Sequence, residues 1–338
     1  MLKIKDEGVI LKKTKHVFEN QAVLNPACID VGDITHMFYR AVRYGNFSTI
    51  GYCQLRGKKV IKRLSQPFLT PQYDYERQGL EDPRIIKLEN TYYLLYTAFD
   101  GKNARIAYAA SDDLVHFEKQ GVISPNITYD RAEDYFHNLK LQERYCLFES
   151  FYKNIVGLDV LLWEKDAFIF PKKINNKFAL VHRILPGIQI SYFDKFSDLT
   201  DKYWINYCKN LDKFIIMDPQ FWFESRNIGG GCPPIETEKG WLIIYHTVQD
   251  AGIGKIYHAA AALLDLNNPQ KVIGRLKEPL FSPQEKWEKS GDTPNVVFPT
   301  SAIVRGKKLF IYYGAADSCI GVKSVDLKTL LAALENSI

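Results

Sequence analysis

The chain has 338 residues and carries 44 Lys and Arg residues against 39 Asp and Glu residues, which gives a formal net charge of +5. Its hydrophobic fraction of 46% and charged fraction of 25% are ordinary for a globular protein and exclude extended disorder. No apolar run reaches the roughly 20 residues that a membrane-spanning helix needs, and the basic residues are too scattered for a nucleic-acid-binding face. Aromatic residues make up 13% of the chain, which favours strands.

Short apolar runs predict buried strands along the whole chain. Each run has four or five residues and follows a turn rich in Gly, Asn, Asp or Lys, and the runs span 36–39, 92–96, 178–182, 241–245 and 309–313. If Tyr39, Tyr96, His182, Tyr245 and Tyr312 are equivalent, the runs recur at steps of 57, 86, 63 and 67 residues. A period of about 65 residues is typical of a repeat fold in which each repeat is one small sheet.

Five small antiparallel sheets predict an all-β chain that forms one five-bladed β-propeller domain over residues 1–338. A pair of β-sandwiches is the alternative. The long second step indicates an insertion at 130–161, and we expect 195–223 to be a long surface connection. Leucines at helical spacing in 329–338 predict a short C-terminal helix.

Basic residues recur at one phase of the repeat. Arg40, Lys165, Arg183 and His246 come from blades far apart in sequence, yet each lies near an end of a predicted inner strand or of the strand after it. In a propeller these positions meet at one end of the central channel, so together they predict an anion site. Taken singly, each residue is equally well explained as a solvated or paired surface charge.

Two acidic residues, Glu81 and Asp82, precede a proline at the start of a predicted inner strand. Because successive strand side chains point to opposite faces, we expect only one of the two carboxylates to face the channel. One interpretation is a general acid whose pKa is tuned by an enclosed site. The other interpretation is a salt bridge between blades.

The remaining sequence features indicate neither a metal nor a leader segment. The six cysteines have no CxxC spacing, and no group of His, Asp and Glu residues has the spacing of metal ligands, so we expect reduced thiols and no metal. The N-terminal segment lacks the apolar core of a signal peptide. We therefore expect a cytoplasmic protein with no nucleic-acid or membrane partner, and leave its assembly into a homo-oligomer open.

The chain resembles glycoside hydrolase family 130, the inverting β-mannoside phosphorylases, over nearly its whole length. The segments that carry the resemblance are NPA at 25–27, YRA at 39–41, GLEDPRI at 79–85, KDA at 165–167 with FP at 170–171, HR at 182–183, IGGG at 228–231 with PPI at 233–235, GWL at 240–242 with YH at 245–246, LLDL at 263–266, NVVFP at 295–299 and YYGAAD at 312–317. Members of that family are five-bladed propellers, so the resemblance implies the same fold as the repeat does.

Carried over residue by residue, the resemblance implies a role for each matching position. The general acid falls on Asp82. The phosphate-binding residues fall on Arg40, Lys165, His246, Tyr257 and Arg183, and the substrate-binding residues on Asn25, Arg84, Phe298 and Asp317. Two departures bear on the acceptor sugar: Thr247 follows His246 where the family usually has Gly, and two residues separate Arg183 from Pro186.

The reaction that the resemblance implies is phosphorolysis of a β-mannoside to α-mannose 1-phosphate, with inorganic phosphate as co-substrate and no cofactor. The substrate would be a β-1,4-mannosyl-glucose or -N-acetylglucosamine, or a β-1,2-mannooligosaccharide. Inverting hydrolysis needs a second carboxylate that activates water, so one acid motif among several basic residues favours the phosphorylase. The alternatives are an inverting β-mannosidase, with Asp166 or Glu236 as its base, and a non-catalytic glycan-binding propeller.

Overall fold

The computed structural model describes residues 2–252 and 254–337, and it is mostly β, with 48% strand and 17% helix. The strands are β1 (Lys5–Lys12), β2 (Ala22–Val31), β3 (Ile34–Arg43), β4 (Phe47–Arg56), β5 (Lys59–Arg63), β6 (Gly79–Leu88), β7 (Thr91–Phe99), β8 (Ala104–Ser111), β9 (Glu118–Val122), β10 (Lys165–Ile169), β11 (Phe178–Arg183), β12 (Ile188–Phe193), β13 (Ile215–Met217), β14 (Asn227–Gly230), β15 (Ile235–Thr237), β16 (Gly240–Ala251), β17 (Gly254–Leu264), β18 (Val272–Arg275), β19 (Val297–Arg305), β20 (Lys308–Ala315) and β21 (Cys319–Asp326). The α-helices are α1 (Tyr129–Phe136), α2 (Arg144–Val156), α3 (Asp201–Cys208), α4 (Lys286–Lys289) and α5 (Leu327–Glu335). Helices are thus more numerous than the single C-terminal one that the sequence predicts. In the described part of the chain, no helix has both the length and the apolar composition needed to cross a bilayer.

The strands form five consecutive units of four antiparallel strands. β10 to β13 form one sheet, and β14, β16, β17 and β18 form another, in which β15 also pairs with β16. β2 to β9 belong to one larger sheet, but its halves, β2–β5 and β6–β9, are joined by a single parallel pair, Ser48 with Gly79. The last unit contains β19, β20 and β21, and the N-terminal strand β1 completes it by pairing with β21.

A buried glutamate lies shortly before the first strand of each unit and binds an aromatic or histidine side chain on the second strand. These pairs are Glu19 with Tyr39 (2.7 Å), Glu76 with Tyr96 (2.7 Å), Glu164 with His182 (2.8 Å), Glu224 with Tyr245 (2.8 Å) and Glu288 with Tyr313 (2.5 Å). In four units a third residue, from a later strand, is a cation that forms an ion pair with the glutamate: Arg63, Lys119, Arg275 and Lys323. In the remaining unit Tyr207 completes the group through His182. These glutamate triads supply the partners that a buried carboxylate requires.

A short sequence repeat accompanies three of the glutamate triads. The pattern Pro-Gln-x-x-x-Glu occurs at 71–76, 219–224 and 283–288. In each copy the backbone N–H of the Gln donates to the carboxylate of the Glu, at 2.7 to 2.8 Å. This pattern locates the start of a unit more precisely than the apolar runs do.

The glutamate triads correct one of the expected equivalences. Tyr313, rather than Tyr312, binds the buried glutamate of the last unit. Its ring covers Gly321 on the adjacent strand, as the ring of Tyr39 covers Gly51 in the first unit, and a β-carbon at either glycine would overlap the ring.

The C-terminal helix is confirmed in the described residues. Asp326 caps it, because its side chain accepts a hydrogen bond from the backbone N–H of Thr329 at 2.8 Å. Helix α5 starts two residues before the predicted 329–338, buries Leu330 and Leu334, and ends at Glu335. The last residue of the predicted span, Ile338, lies outside the described residues.

Two long connections between strands hold α-helices. Helices α1 and α2 lie at the predicted insertion, where Phe136 and Tyr145 enter a core shared with the second and third units. The segment 195–223 is not the surface connection that the sequence predicts, because Trp204 and Tyr207 of α3 are both only 1% exposed. Trp204 also donates from its indole N–H to the carbonyl of Ile123 at 3.0 Å. Burial of these aromatic side chains outweighs the polar composition of the segment.

Candidate active site

Three polar residues with a left-handed backbone lie in the first strands of neighbouring units. Asn25, Asp82 and Asp166 have φ values of 49°, 49° and 58°. Asn and Asp adopt this conformation more readily than other non-glycine residues, and the pairing register of each strand shifts around it. Such a bulge re-aims side chains, and all three residues line one cavity.

This central cavity has a volume of about 320 Å³ and is lined by residues from all five units. The predicted site residues that line it are Asn25, Arg40, Asp82, Lys165, Arg183, His246, Tyr257, Phe298 and Asp317. Of the predicted set, Arg84 does not line it. The phase of the repeat groups Asn25, Arg40, Asp82, Lys165, Arg183 and His246, whereas Tyr257, Phe298 and Asp317 come from the family resemblance. Two further polar residues at the same phase, His182 and Asn295, do not line the cavity.

Asp82 is buried between an amide and two cations. Asn25 donates from Nδ2 to Asp82 Oδ1 at 2.7 Å, and Arg40 Nη1 lies 3.5 Å from the same oxygen. Burial alone would raise the pKa of Asp82, but the charges of Arg40 and Lys165 and the hydrogen bond from Asn25 outweigh it, so the pKa lies below its ordinary value. With these neighbours Asp82 is a carboxylate at neutral pH. Gly314 makes room for this arrangement, since a β-carbon there would overlap the amide oxygen of Asn25.

As expected, only one of the two adjacent carboxylates lines the cavity, but both contact Arg40, since Asp82 has a left-handed backbone conformation. Glu81 Oε1 lies 2.8 Å from Arg40 Nη2, and Glu81 Oε2 lies 2.9 Å from Lys165 Nζ. Glu81 therefore forms the salt bridge between units, joining the first, second and third. Asp82 is the member of the pair that lines the cavity.

Asp166 holds a second set of basic residues. Its Oδ2 atom lies 2.7 Å from Arg183 Nη1 and 3.9 Å from His246 Nε2. Burial alone would lower the pKa of Arg183, but the charge of Asp166 outweighs it and raises the pKa. The pKa of Lys165 is likewise raised, because Glu81 and Asp82 outweigh the effect of burial. Both cations therefore keep their charge inside the cavity.

His246 is fully buried and, unlike Lys165 and Arg183, carries no charge at neutral pH. Burial is the largest influence on it and lowers its pKa to about 4, despite the opposing charge of Asp166. At neutral pH it is a neutral imidazole that can donate or accept one hydrogen bond at each nitrogen, and neither nitrogen has a hydrogen-bond partner within residues 2–252 and 254–337. A β-carbon at Gly229 would overlap the imidazole, so glycine is needed there for close approach.

Arg84 lies behind the cavity rather than in it. It is 1% exposed, and its guanidinium donates to the backbone carbonyls of Asp82 at 3.0 Å and Pro83 at 3.2 Å, as well as to that of Gly231. These contacts hold the backbone on which Asp82 sits. Arg84 is not among the residues that line the cavity, so its position supports a role in holding this backbone rather than the substrate contact implied by the resemblance.

An aromatic wall faces the charged residues. The ring of Phe298 lies 4.4 Å from the imidazole of His246 and 6.3 Å from the ring of Tyr257, measured between centroids. Burial raises the pKa of Tyr257, which stays a neutral hydroxyl. Asp317 lines the same cavity, and burial raises its pKa as well. This wall pairs apolar surface with hydroxyl and carboxyl groups, the combination found in sites that bind polar organic ligands.

Several cavity residues escaped the sequence analysis. Arg226 and Lys255 add positive charge, while Phe148, Phe151, Tyr152 and Trp163 add aromatic surface. The first three of these aromatics belong to helix α2, inside the predicted insertion. The close spacing of these three aromatic residues in the sequence could have marked them as candidates for binding. Only the fold shows that the insertion places them at the cavity.

A family model described as beta-1,4-mannooligosaccharide phosphorylase, that of glycoside hydrolase family 130, matches residues 4–336. The chain belongs to glycoside hydrolase family 130. The family predicted from the sequence is therefore confirmed, and with it the prediction of an enzyme.

Two relatives of this family 130 enzyme come from Thermoanaerobacter sp. (strain X514). A 1,2-beta-oligomannan phosphorylase is 35% identical, over 98% of this chain and 99% of its own. A beta-1,2-mannobiose phosphorylase is 34% identical, over 96% of this chain and 97% of its own. The solved structure of beta-1,2-mannobiose phosphorylase from Listeria innocua, in complex with beta-1,2-mannobiose, has the same fold, with a TM-score of 0.74 at 22% identity and coverage of 99% and 100% of the two chains.

We expect the unfolding free energy of this family 130 enzyme to fall as the pH is lowered from about 7 to about 4.5. Burial lowers the pKa of His246 and of His258 to about 4, whereas histidine in an unfolded chain titrates near 6.5. Their contribution is complete above about pH 6.5 and is lost toward pH 4, by about 1.4 kcal/mol per pH unit for each histidine. Urea unfolding at a series of pH values measures the slope. His258→Asn should lower the slope by the share of that one histidine, about 1.4 kcal/mol per pH unit, and an unchanged slope in that variant would contradict this explanation.

Proposed function

We propose that this chain is an inverting β-mannoside phosphorylase, which uses inorganic phosphate to release α-mannose 1-phosphate. The observation that carries the proposal is one cavity that holds Asp82 together with the cations Arg40, Lys165 and Arg183. The family membership and the named activities of the two relatives support the same reaction. No cofactor takes part.

The reaction breaks the bond between the anomeric carbon of mannose and the oxygen of the leaving sugar. Asp82 gives its proton to that oxygen, and a phosphate oxygen forms the new bond to the anomeric carbon from the opposite face, which inverts the configuration. Lys165, Arg183 and Arg40 hold the phosphate by charge, and His246 and Tyr257 by hydrogen bonds. Asn25, Asp317 and Phe298 hold the mannose ring between the acid and the phosphate.

The charges in the site determine the sequence in which phosphate binds and Asp82 is protonated. Arg40 and Lys165 lower the pKa of Asp82, which keeps it ionised and unable to donate a proton. A bound phosphate brings negative charge beside the same cations and offsets their effect on the carboxyl group. Phosphate binding therefore raises the pKa of Asp82, so that the acid takes up its proton when the nucleophile is in place.

An inverting hydrolase would need a base to activate water, with its carboxylate roughly 6.5–9.5 Å from that of the acid. Glu236 lies on the surface, where it is 3.0 Å from Lys172, and does not line the cavity. Asp166 does line the cavity, but it is held in an ion pair with Arg183. The surroundings of both carboxylates thus favour phosphorolysis over hydrolysis.

The five units support a closed five-bladed β-propeller that forms a single domain over residues 1–338, with the insertion at 130–161. The glutamate triads give five equivalent units, and pairing of β1 with β21 links the first strand of the chain to the last unit. Residues 1, 253 and 338 lie outside the described residues. The cytoplasmic location, and the lack of nucleic-acid and membrane partners, rest on the sequence alone.

The test is to incubate the protein with β-1,2- and β-1,4-linked mannobiose, each with and without phosphate. We expect α-mannose 1-phosphate to form only when phosphate is present, with its anomeric configuration read by NMR. Release of free mannose at the same rate without phosphate would overturn phosphorolysis in favour of hydrolysis. Binding of these sugars without turnover would instead support the glycan-binding alternative.

A further inference from the structure

A second cavity adjoins the central one on the side of the insertion. It has a volume of about 230 Å³, and we call it the side cavity. Phe148 and Phe151 of helix α2, and Arg226 next to β14, line both cavities. The two cavities are therefore adjacent, and these three side chains form their common boundary.

The side cavity combines aromatic rings with a charged pair. The guanidinium carbon of Arg226 lies 5.4 Å from the ring centroid of Phe148 and 5.6 Å from that of Phe151. Asp250 accepts from Arg226 at 3.5 Å and also lines this cavity. A pyranose ring offers an apolar C–H face and a rim of hydroxyl groups, which the aromatic rings and the charged pair can contact respectively.

The apolar residues of the side cavity are unusually open to water. Leu147 is 66% exposed and Phe151 is 42% exposed, although both are large hydrophobic residues on one helix. Neighbouring apolar side chains that stay uncovered at the mouth of a binding cavity are typical of a surface that a ligand covers.

A further cavity borders the central one at Arg40 and Asp317, with a volume of about 390 Å³. It is lined by amides, carboxylates and small or aliphatic residues, among them Gln21, Asn46 and Asp292, with no aromatic ring among its described lining residues. It offers no platform for a sugar face, so an oligosaccharide extends more favourably into the side cavity.

We propose that the side cavity binds the second sugar of the leaving oligosaccharide, so that the enzyme prefers β-mannosides of three or more units to disaccharides. This inference rests on the proposed phosphorylase activity and names its substrate class. The two Thermoanaerobacter relatives, an oligomannan and a mannobiose phosphorylase, are almost equally similar to this chain. Overall identity therefore does not separate the two substrate lengths.

The experiment compares kcat/KM for phosphorolysis of the mannotriose and the mannobiose of whichever linkage is cleaved. We expect the wild-type protein to favour the triose, and Phe151→Ala and Asp250→Ala each to reduce that preference by about 3- to 10-fold, the scale of a lost aromatic or polar contact. Ile155→Ala is the matched control, because Ile155 lies one turn further along α2, is 67% exposed and lines neither cavity. Its ratio should equal that of the wild type.

The outcomes separate this inference from the proposed function. If no mannoside is phosphorolysed, the proposed function fails. If mannobiose is phosphorolysed but the triose is no better, or if Phe151→Ala and Asp250→Ala keep the wild-type ratio, the inference about the side cavity fails alone. Formation of mannobiose 1-phosphate from the triose would place the extra sugar on the other side of the cleaved bond and would also overturn it.

Discussion

Replacing Asp82 by Asn should slow phosphorolysis of β-mannosides by about 10²- to 10⁴-fold, the usual effect of losing a general acid. Asn has nearly the same shape, and its amide oxygen can still accept the hydrogen bond that Asn25 donates to Asp82 at 2.7 Å. We therefore expect the variant to fold and to keep its thermal unfolding temperature within a few degrees of the wild type. Steady-state kinetics with a mannobiose, together with calorimetry, measure both quantities.

A substrate with a better leaving group distinguishes proton donation from a structural role. In a dinitrophenyl β-mannoside the leaving group is dinitrophenolate, a stable anion that departs without protonation, so Asp82→Asn should lose little of its rate on this substrate. Glu81→Gln is the matched control, because Glu81 contacts Arg40 and Lys165 but not the central cavity. Its loss should be similar on both substrates. An equal loss for Asp82→Asn on both substrates, or near-normal turnover of mannobiose, would show that Asp82 is not the acid.

Replacing Lys165 by Ala should raise the KM for phosphate by about 10- to 150-fold and change the KM for the mannoside far less. A hydrogen bond from a charged group to a buried anion is worth about 1.5–3 kcal/mol, and the ammonium group of Lys165 keeps its charge in the cavity because Glu81 lies 2.9 Å away. Initial rates at varied phosphate and fixed saturating mannoside give the first constant. The reverse variation gives the second.

Lys172→Ala is the matched control for Lys165→Ala. Lys172 has a similar ion pair, 3.0 Å from Glu236, but 62% of its side chain is exposed and it does not line the cavity. Both constants should equal those of the wild type in this variant. If Lys165→Ala raised the KM for the mannoside as much as that for phosphate, the lysine would bind sugar rather than the anion.

The strands and the polar residues around the cavity could be predicted from the sequence because both follow the repeat. Tyr39, Tyr96 and Tyr245 mark buried second strands, and several polar residues at one phase of the repeat meet in the central cavity. Repeat position was enough for Asn25, Asp82 and Lys165, which lie in the first strands of the first three units.

The errors arose where the backbone or the surroundings depart from the repeat. Strand alternation does not predict that Glu81 and Asp82 both contact Arg40, because it assumes an extended backbone and Asp82 has a positive φ. The buried guanidinium of Arg84 binds backbone carbonyls contributed partly by another unit. His246 is basic by residue type, yet its burial keeps it neutral. Each of these properties depends on tertiary contacts.

Because β1 pairs with β21, the last unit cannot be completed until nearly the whole chain has been synthesised. Lys5 pairs with Ser324, about 320 residues later in the chain, so at about 5–20 residues per second a ribosome needs about 15–60 s to supply the partner. During that time β1 is an unpaired strand, which neighbouring nascent chains could capture. Its sequence, KDEGVILK, carries charges at both ends. Those charges oppose edge-to-edge association until the last strand leaves the ribosome.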